Sequence, residues 1–396
     1  MEQVIVAKCA RYERSEVEAA VHEIIYGNAI NANVKGVRLA SLLKPGMKVL
    51  VKPNLLVGDI PAKGITTHPE VVRAVLKELL NLGVQPIVGD SPGFGNPVKV
   101  AEKAGIAAVC RELGVKLAAF TEVIEVKTAS SAKIMTGFSL AKEVVEADAV
   151  LNLPKMKTHG MARLTGCVKN LYGCIVGVRK AELHYRLQKT EMFMEMLIDL
   201  AETVRPVFNI VDAVMAMEGP GPRNGNLRPV GLIMGGRDPF AVDTVIGHIM
   251  GLQTKEIPVL ALAQNRRKQG AYLDRIEALC ADAELEELVI DDYRVPAAPA
   301  WIRLRTPEFV GKLIRKYVSP YPVIGENCRL CGVCLKSCPA GIMSITKNGE
   351  RSVVTINDQK CIRCYCCQEL CPYDAIELKV PFLRKVFFTQ RRRRRS

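Results

Sequence analysis

Short β-branched runs alternate with longer stretches of helical spacing through the first two-thirds of the chain, the pattern of strand–helix units that feed a largely parallel sheet. MKVLVKPN reads as a strand running out at Lys52, Pro53 and Asn54. HPEVVRAVLKELLNLG follows, with Val71, Val72, Val75, Leu76 and Leu79 at helical spacing and Gly83 as the stop. VQPIVGDSPGFG is a second strand opening into a Gly/Pro-rich loop, NPVKVAEKAGIAAVCRELG a second helix, and VVEADAVLNLPKMKTHG a third strand and loop. FNIVDAVMAMEGPGPRNG and RPVGLIMGGRDPFAVDTVIGHIMG repeat the scheme, the latter closing in a helix. The expected fold over residues 1–290 is α/β, a mostly parallel sheet with helices on both faces, whose loops open on one edge where such proteins bind ligands.

The pattern breaks near residue 290. Residues 291–324 are Pro-rich and basic, contain Trp301, the only tryptophan, and read as a linker with one amphipathic helix. Cysteine spacing dominates 325–380, read as a small α+β two-cluster domain, and 381–396 is a polybasic tail with five consecutive arginines. A length of 396 residues with 49% hydrophobic and 24% charged positions suits two to three soluble domains and excludes disorder over most of the chain. No apolar run reaches the ~18 residues of a membrane span, and MEQVIVAKCARYER lacks the basic-then-apolar order of a signal peptide, so the expected compartment is the cytoplasm.

Charge divides unevenly. Most of the net +14 lies in residues 301–320 and 379–396, leaving a nearly neutral body. That distribution argues against a nucleic-acid binder with a basic surface throughout, and the loops carry no stacking aromatics for single strands. The arginine tail suits peripheral contact with an anionic membrane or an acidic protein.

Of 14 cysteines, nine lie between Cys328 and Cys371, a density that in a cytosolic chain points to metal rather than disulfides. CRLCGVCLKSCP and CIRCYCCQELCP both fit C-x₂-C-x₂-C-x₃-C-P. Compact loops of this spacing wrap a cluster and turn N–H groups toward its sulfides; paired zinc sites are the alternative use of C-x₂-C. Over about 55 residues the region resembles the two-cluster ferredoxins, in which the fourth cysteine of each run ligates the other cluster. The resemblance implies two [4Fe–4S] clusters, one on Cys328, Cys331, Cys334 and Cys371, the other on Cys361, Cys364, Cys367 and Cys338. Cys366 fits neither set. The pairs Ile345/Val354 and Ile376/Leu378 look like the short strands flanking such clusters.

Five loops of the body gather polar groups: Lys52 and Asn54; Asp90 and Ser91; Lys155, Lys157 and His159; Lys169 and Asn170; Glu218 and Arg223. Lysines beside Gly-rich turns suit a small anionic ligand, with solvated loop lysines as the plain alternative. Neither a Walker loop nor G-x-G-x-x-G is present. Asp238, before Pro239, is placed to cap a helix, whereas Asp243, one turn inside it, needs a lysine or metal partner if buried. His159 beside two lysines suits a neutral base, and Cys167 and Cys174 read as a dithiol, a metal pair or buried core thiols.

The order KPN, GDS, NLPKMKTH, TGCVKNLYG, MEGPGP and GRDPFAVD resembles the family known as domain of unknown function 362, over roughly residues 1–290. The resemblance implies an iron–sulfur-linked redox role. The matching positions are Lys155, Lys157 and His159 as catalytic candidates and Lys52, Asn54, Asp90, Lys169, Asn170, Glu218 and Asp243 as ligand-binding ones. Two functions follow: an oxidoreductase or its subunit passing single electrons to a ligand at the loop edge or to a redox partner, or a carrier or maturation scaffold that docks a partner protein.

Overall fold

The computed structural model describes residues 1–27, 38–280, 283–296, 319–349 and 351–381. The expected linker helix with Trp301 and nearly all of the polybasic tail lie outside them. The chain divides into two compact units: Met1–Lys180 with Glu191–Pro296, and Ala181–Thr190 with Ala297–Ser396.

The first unit is built on β1 (Glu2–Lys8), β2 (Lys48–Pro53), β3 (Gln85–Gly89), β4 (Lys116–Ala118), β5 (Val123–Lys127), β6 (Gly137–Ala141), β7 (Ala149–Leu153), β8 (Lys155–His159), β9 (Arg163–Thr165), β10 (Phe208–Glu218), β11 (Asn226–Gly236) and β12 (Ile276–Cys280). The main sheet runs β12-β1-β11-β10-β7-β2-β3-β4, with β8 pairing β10 and β9, while β5 and β6 form a separate antiparallel pair. Strands β10, β7, β2, β3 and β4 are mutually parallel, as the strand–helix alternation requires. Strand β11 is antiparallel to both neighbours because it follows β10 through a tight Gly/Pro connection instead of a crossover helix.

Both faces are covered. Val49 and Val51 join the core cluster that holds Val71, Val72, Val75, Leu76 and Leu79 of the helix Pro69–Asn81, while Leu50 between them is buried on the other face. Burying each such side chain contributes about 1.5–3 kcal/mol. The helix Pro69–Asn81 starts where the spacing places it, with His68 as its N-cap and Pro69 at the first turn. Asp238 caps Pro239–Ile249 by accepting from Phe240 N and Ala241 N at 2.7 and 2.9 Å.

Three segments depart from the sequence reading. The single helix expected over NPVKVAEKAGIAAVCRELG is two, Pro97–Lys103 and Ile106–Glu112, broken at Gly105, whose φ of 75° no helix accommodates. KMKTH, read as loop, is strand β8 and wholly buried. TGCVKNLYGC, also read as loop, contains the short helix Cys167–Asn170 and a 3₁₀ turn over Leu171–Cys174.

The second unit contains β13 (Tyr321–Ile324), β14 (Met343–Asn348), β15 (Arg351–Ile356) and β16 (Ile376–Lys379). Ile345 pairs with Val354 in the β14–β15 hairpin, as expected. Ile376 and Leu378 instead pair with Ile324 and Pro322, so β16 finds its partner at the end of the stretch read as linker.

Candidate functional site

The two cysteine runs fold alike. Left-handed backbone occurs at Leu330 and Arg363, at Gly332 and Tyr365, and at Gly341 and Asp374, corresponding positions of the two runs. Each run is a loop followed by a short helix, Val333–Ser337 and Cys366–Leu370. Burial raises the Cys334 thiol, and the sulfurs whose charges bear on it further are Cys331, Cys371 and Cys328. Burial likewise raises Cys367, on which Cys364, Cys361 and Cys338 act. Cys371 thus bears on Cys334 of the earlier run, and Cys338 on Cys367 of the later one. Cys338, Cys361, Cys364 and Cys367 line one recess together with Pro339, Ile342 and Met343 among others.

Cys334, Cys367 and Cys371 sit in one apolar cluster with Met343, Val354, Ala375 and Ile376, and Cys328 and Cys338 pack against it; cysteines so placed fit a [4Fe–4S] cluster, which would supply one-electron chemistry. Ala375 N donates to Cys371 Sγ at 3.3 Å, the backbone-to-sulfur bond that tunes such a site. Cys366, outside both quartets, is buried beside Cys364; their hydrogen bond holds the Cys364 thiol below its ordinary value and pushes Cys366 up.

The loop edge of the first unit is a seam of buried polar groups, each with its own acceptor. Lys52 is completely buried and pairs with Asp90 at 2.7 Å, whose other oxygen accepts from Leu55 N. Gly173 covers that pair: a Cβ there would lie 1.9 Å from Asp90 Oδ1, so no larger residue fits.

Lys155, Lys157 and His159 share one face of β8, at the two-residue period of a strand, and then part company. Lys155 Nζ lies 2.9 Å from Asp212 and donates to Tyr12 Oη at 2.5 Å; burial depresses its pKa, which Asp212 opposes. Tyr12 donates to Asp212 and accepts from Met215 N, a backbone donor that the β10 bulge frees from the ladder. The Tyr12 ring stacks on His68 at 3.6 Å, and burial pushes the His68 pKa down to about 4. Lys157 donates to Asn54 Oδ1 and to Ile65 O at 2.8 and 2.7 Å. His159 Nδ1 accepts from Met161 N and Ala162 N, folding the β8–β9 turn.

From Lys157 a relay of amides crosses the strand ends. Asn54 donates to Asn170, Asn170 to Asn152, Asn152 to Asn209, and Asn209 to Gly236 O, at distances from 2.8 to 3.1 Å. Asn152 sits opposite both Lys52 and Asn209 in the sheet register, so three adjacent strands contribute. Fully satisfied networks of this kind hold one geometry.

The remaining candidates are placed as follows. Glu218 is buried and bonded by Arg294 through its backbone N–H and its guanidinium. Asp243, for which a lysine or a metal is the expected partner, accepts from the backbone: its oxygens take Cys167 N and Val168 N at 2.5 and 3.0 Å, and burial pushes its pKa up to about 7. It caps the short helix Cys167–Asn170 from outside, with Gly166 leaving room for its oxygen. Cys167 and Cys174 are buried free thiols. Lys169 is half-buried and its charge bears on Lys180. The lysines of the edge thus stand in separate contacts, with Lys157, Asn54 and Asn170 in one network. Among the described residues, no group of three or more His, Cys, Asp or Glu is gathered to hold a single metal ion.

Sequence reasoning missed Tyr12, His68, Asn152, Asn209 and Lys180. Asn152 and Asn209 carry a signal, a carboxamide inside an apolar strand run, which needs a partner once buried. His68 before Pro69 carries another, the helix-start pattern. Tyr12 and Lys180 carry none.

The family model described as Domain of unknown function (DUF362) matches residues 49–248, and a 4Fe-4S dicluster domain matches 327–375. A thylakoid-associated protein of Synechocystis sp. is 38% identical over 259 residues, 65% of this chain and 79% of the relative. The DNA-directed RNA polymerase subunit Rpo3 of Methanosarcina acetivorans is 39% identical over 67 residues, 17% of this chain and 24% of the subunit. Among solved structures, the lactate racemase apoprotein from Thermoanaerobacterium thermosaccharolyticum aligns at 12% identity with a TM-score of 0.40, covering 63% of this chain and 57% of that one.

Proposed function

Since the chain belongs to the family described as Domain of unknown function (DUF362) and carries a 4Fe-4S dicluster domain behind it, we propose that it is an iron–sulfur oxidoreductase or a subunit of one. Two [4Fe–4S] clusters would carry single electrons, and the α/β unit would present a small anionic ligand or a redox partner protein at its loop edge. The observation that supports this reading is that Cys371 bears on Cys334 and Cys338 on Cys367, each toward the opposite run, which fits the ligand arrangement of a two-cluster ferredoxin. A protein of this type supplies cysteines, dielectric and orientation while the clusters supply the redox chemistry.

The second reading, a carrier or scaffold that docks a partner protein, draws on the loop edge. Lys52, Lys155 and Lys157 are buried and each held by intramolecular acceptors, an arrangement that keeps the loop edge above them rigid without a ligand. Under either reading the protein works in the cytoplasm. No helix among the described residues is long and apolar enough to cross a membrane. The arginine tail would give peripheral contact with an anionic membrane or acidic protein, in keeping with a relative named for its thylakoid association.

Anaerobic purification followed by iron and sulfide assay, EPR of the reduced protein, and mass spectrometry of what denaturation releases tests both. About eight irons and eight sulfides with a stoichiometric small anion supports the oxidoreductase; the same clusters with no released molecule moves the carrier ahead; two zinc ions per chain overturns both.

A further inference from the structure

We propose that Ser91 and Lys180 form a serine–lysine nucleophile pair, a second reactive site in the α/β unit whose substrate is a small acyl ester or thioester. It stands apart from the electron-transfer reading and needs no cluster.

Lys180 lies in the first turn of the helix Arg179–Arg186 and is buried. Its Nζ has three neighbours: Ser91 O at 2.6 Å, Ser91 Oγ at 2.7 Å and Pro92 O at 2.7 Å. Two of these are carbonyls and only accept. The third is a hydroxyl and can do either. A neutral lysine therefore satisfies the site completely, its two N–H bonds going to the carbonyls and its lone pair receiving the Ser91 proton. Losing the ammonium proton leaves no buried polar atom without a partner, so deprotonation costs little beyond the proton itself.

The surroundings favour that loss. Asp90, the carboxylate nearest in sequence, is already engaged by Lys52, and Lys52 and Lys169 both press positive charge on Lys180. Burial is the largest influence, Asp90 and the Cys174 thiol act the other way, and the pKa comes down to about 7. The hydroxyl is fixed from a second side by Gly177 N, which donates to Ser91 Oγ at 3.2 Å, and the Ser91 backbone is tied to Gly173 O at 3.0 Å. A nucleophile, a base within hydrogen-bond reach and carbonyls that orient the base are the parts of an activated serine. Ser91 is only 6% exposed, but Gly93 and Gly95 beside it are exposed, so the substrate must be small.

The step balances with water as co-reactant. Lys180 Nζ takes the Ser91 proton as Oγ bonds to the acyl carbon, and the carbon–oxygen or carbon–sulfur bond to the leaving group breaks as Lys180 returns the proton to it. Water then attacks the acyl-serine, giving the carboxylic acid and restoring the hydroxyl.

The test uses the full chain, anaerobically purified, with diisopropyl fluorophosphate as the probe and peptide mass spectrometry as the readout. A covalent adduct on Ser91 is expected, absent in Ser91→Ala, lowered at least tenfold in Lys180→Met, and unchanged in Lys99→Ala. Adduct formation should rise with pH through about 7 and then level, following neutral lysine. No adduct on Ser91, or a rate flat from pH 6 to 9, would mean that Lys180 is a permanent ammonium clamping the 91–92 turn, and overturns the proposal. If Lys180→Met fails to fold, the Ser91→Ala comparison and the wild-type pH profile still decide it.

Discussion

Cys338 and Cys371, each the fourth cysteine of its own run, lie toward the opposite run: Cys371 bears on Cys334, and Cys338 bears on Cys367 and lines a recess with Cys361, Cys364 and Cys367. Ligation in that arrangement would tie the two halves of a small domain together through its clusters, where the apolar core is limited to a few side chains such as Met343, Val354 and Ile376.

Replacing Cys338 by Ser should therefore damage the cluster held by the later run. The EPR features lost in Cys338→Ser should match those lost in Cys364→Ser, with total iron falling by up to half. If the spectrum instead matches Cys331→Ser, each run binds its own cluster and the crossed arrangement is wrong.

The Lys155–Asp212 pair makes a stability prediction. Both side chains are fully buried, and Asp212 also accepts from Tyr12 Oη and His68 N. Removing one partner leaves an uncompensated charge, so Asp212→Ala and Lys155→Ala should each lose about 3–5 kcal/mol in denaturant unfolding. The double change Lys155→Met/Asp212→Leu should cost clearly less than the sum, because it removes both charges together. Additive losses would show that the two groups do not act as a pair.

Much of this architecture was legible in the residues. The helix Pro69–Asn81 announces itself by its apolar spacing and its proline, and the cysteine runs by count alone. Strand β8 does not, because its inward face carries Lys155, Lys157 and His159, and a buried lysine looks like a solvated one until its acceptor is known. Those acceptors, Asp212 and Asn54, lie far away in sequence. The same distance hides Lys180: nothing in VRKAEL distinguishes it from Arg179, and only the fold brings it to Ser91. Asp243 shows in the sequence that it needs a partner, but a carboxylate reads the same whether it will meet a metal or two backbone N–H groups.

His68 supplies a pH prediction. Burial depresses its pKa from 6.5 to about 4, with Asp212 opposing and Lys155 assisting. The unfolded chain then binds the proton more tightly than the folded one between those values, so stability falls as pH drops from about 6.5 to 4. The loss from this residue is at most about 3 kcal/mol. Imidazole carbon and nitrogen shifts of His68 should stay those of the neutral ring down to pH 5, with the proton on Nε2, since Nδ1 accepts from Glu70 N. A midpoint near 6.5, or a His68→Gln variant with the wild-type acid sensitivity, would refute it.

The arginine tail should bind by charge alone. Residues 391–395 are consecutive arginines, and a run of like charges cannot bury itself, so its deletion should leave cluster content and thermal stability unchanged. Near an anionic bilayer each arginine contributes about 1 kcal/mol, and together the five raise the partition coefficient by roughly three to four orders of magnitude at low ionic strength. Because the attraction reaches only about a Debye length, raising salt from about 0.05 to 0.5 M should release the full chain to the level of the truncated one. Co-sedimentation with vesicles of 30% phosphatidylserine compares the two. Equal binding by both chains at low salt would place the membrane contact elsewhere, and equal absence of binding would direct the tail toward an acidic protein instead.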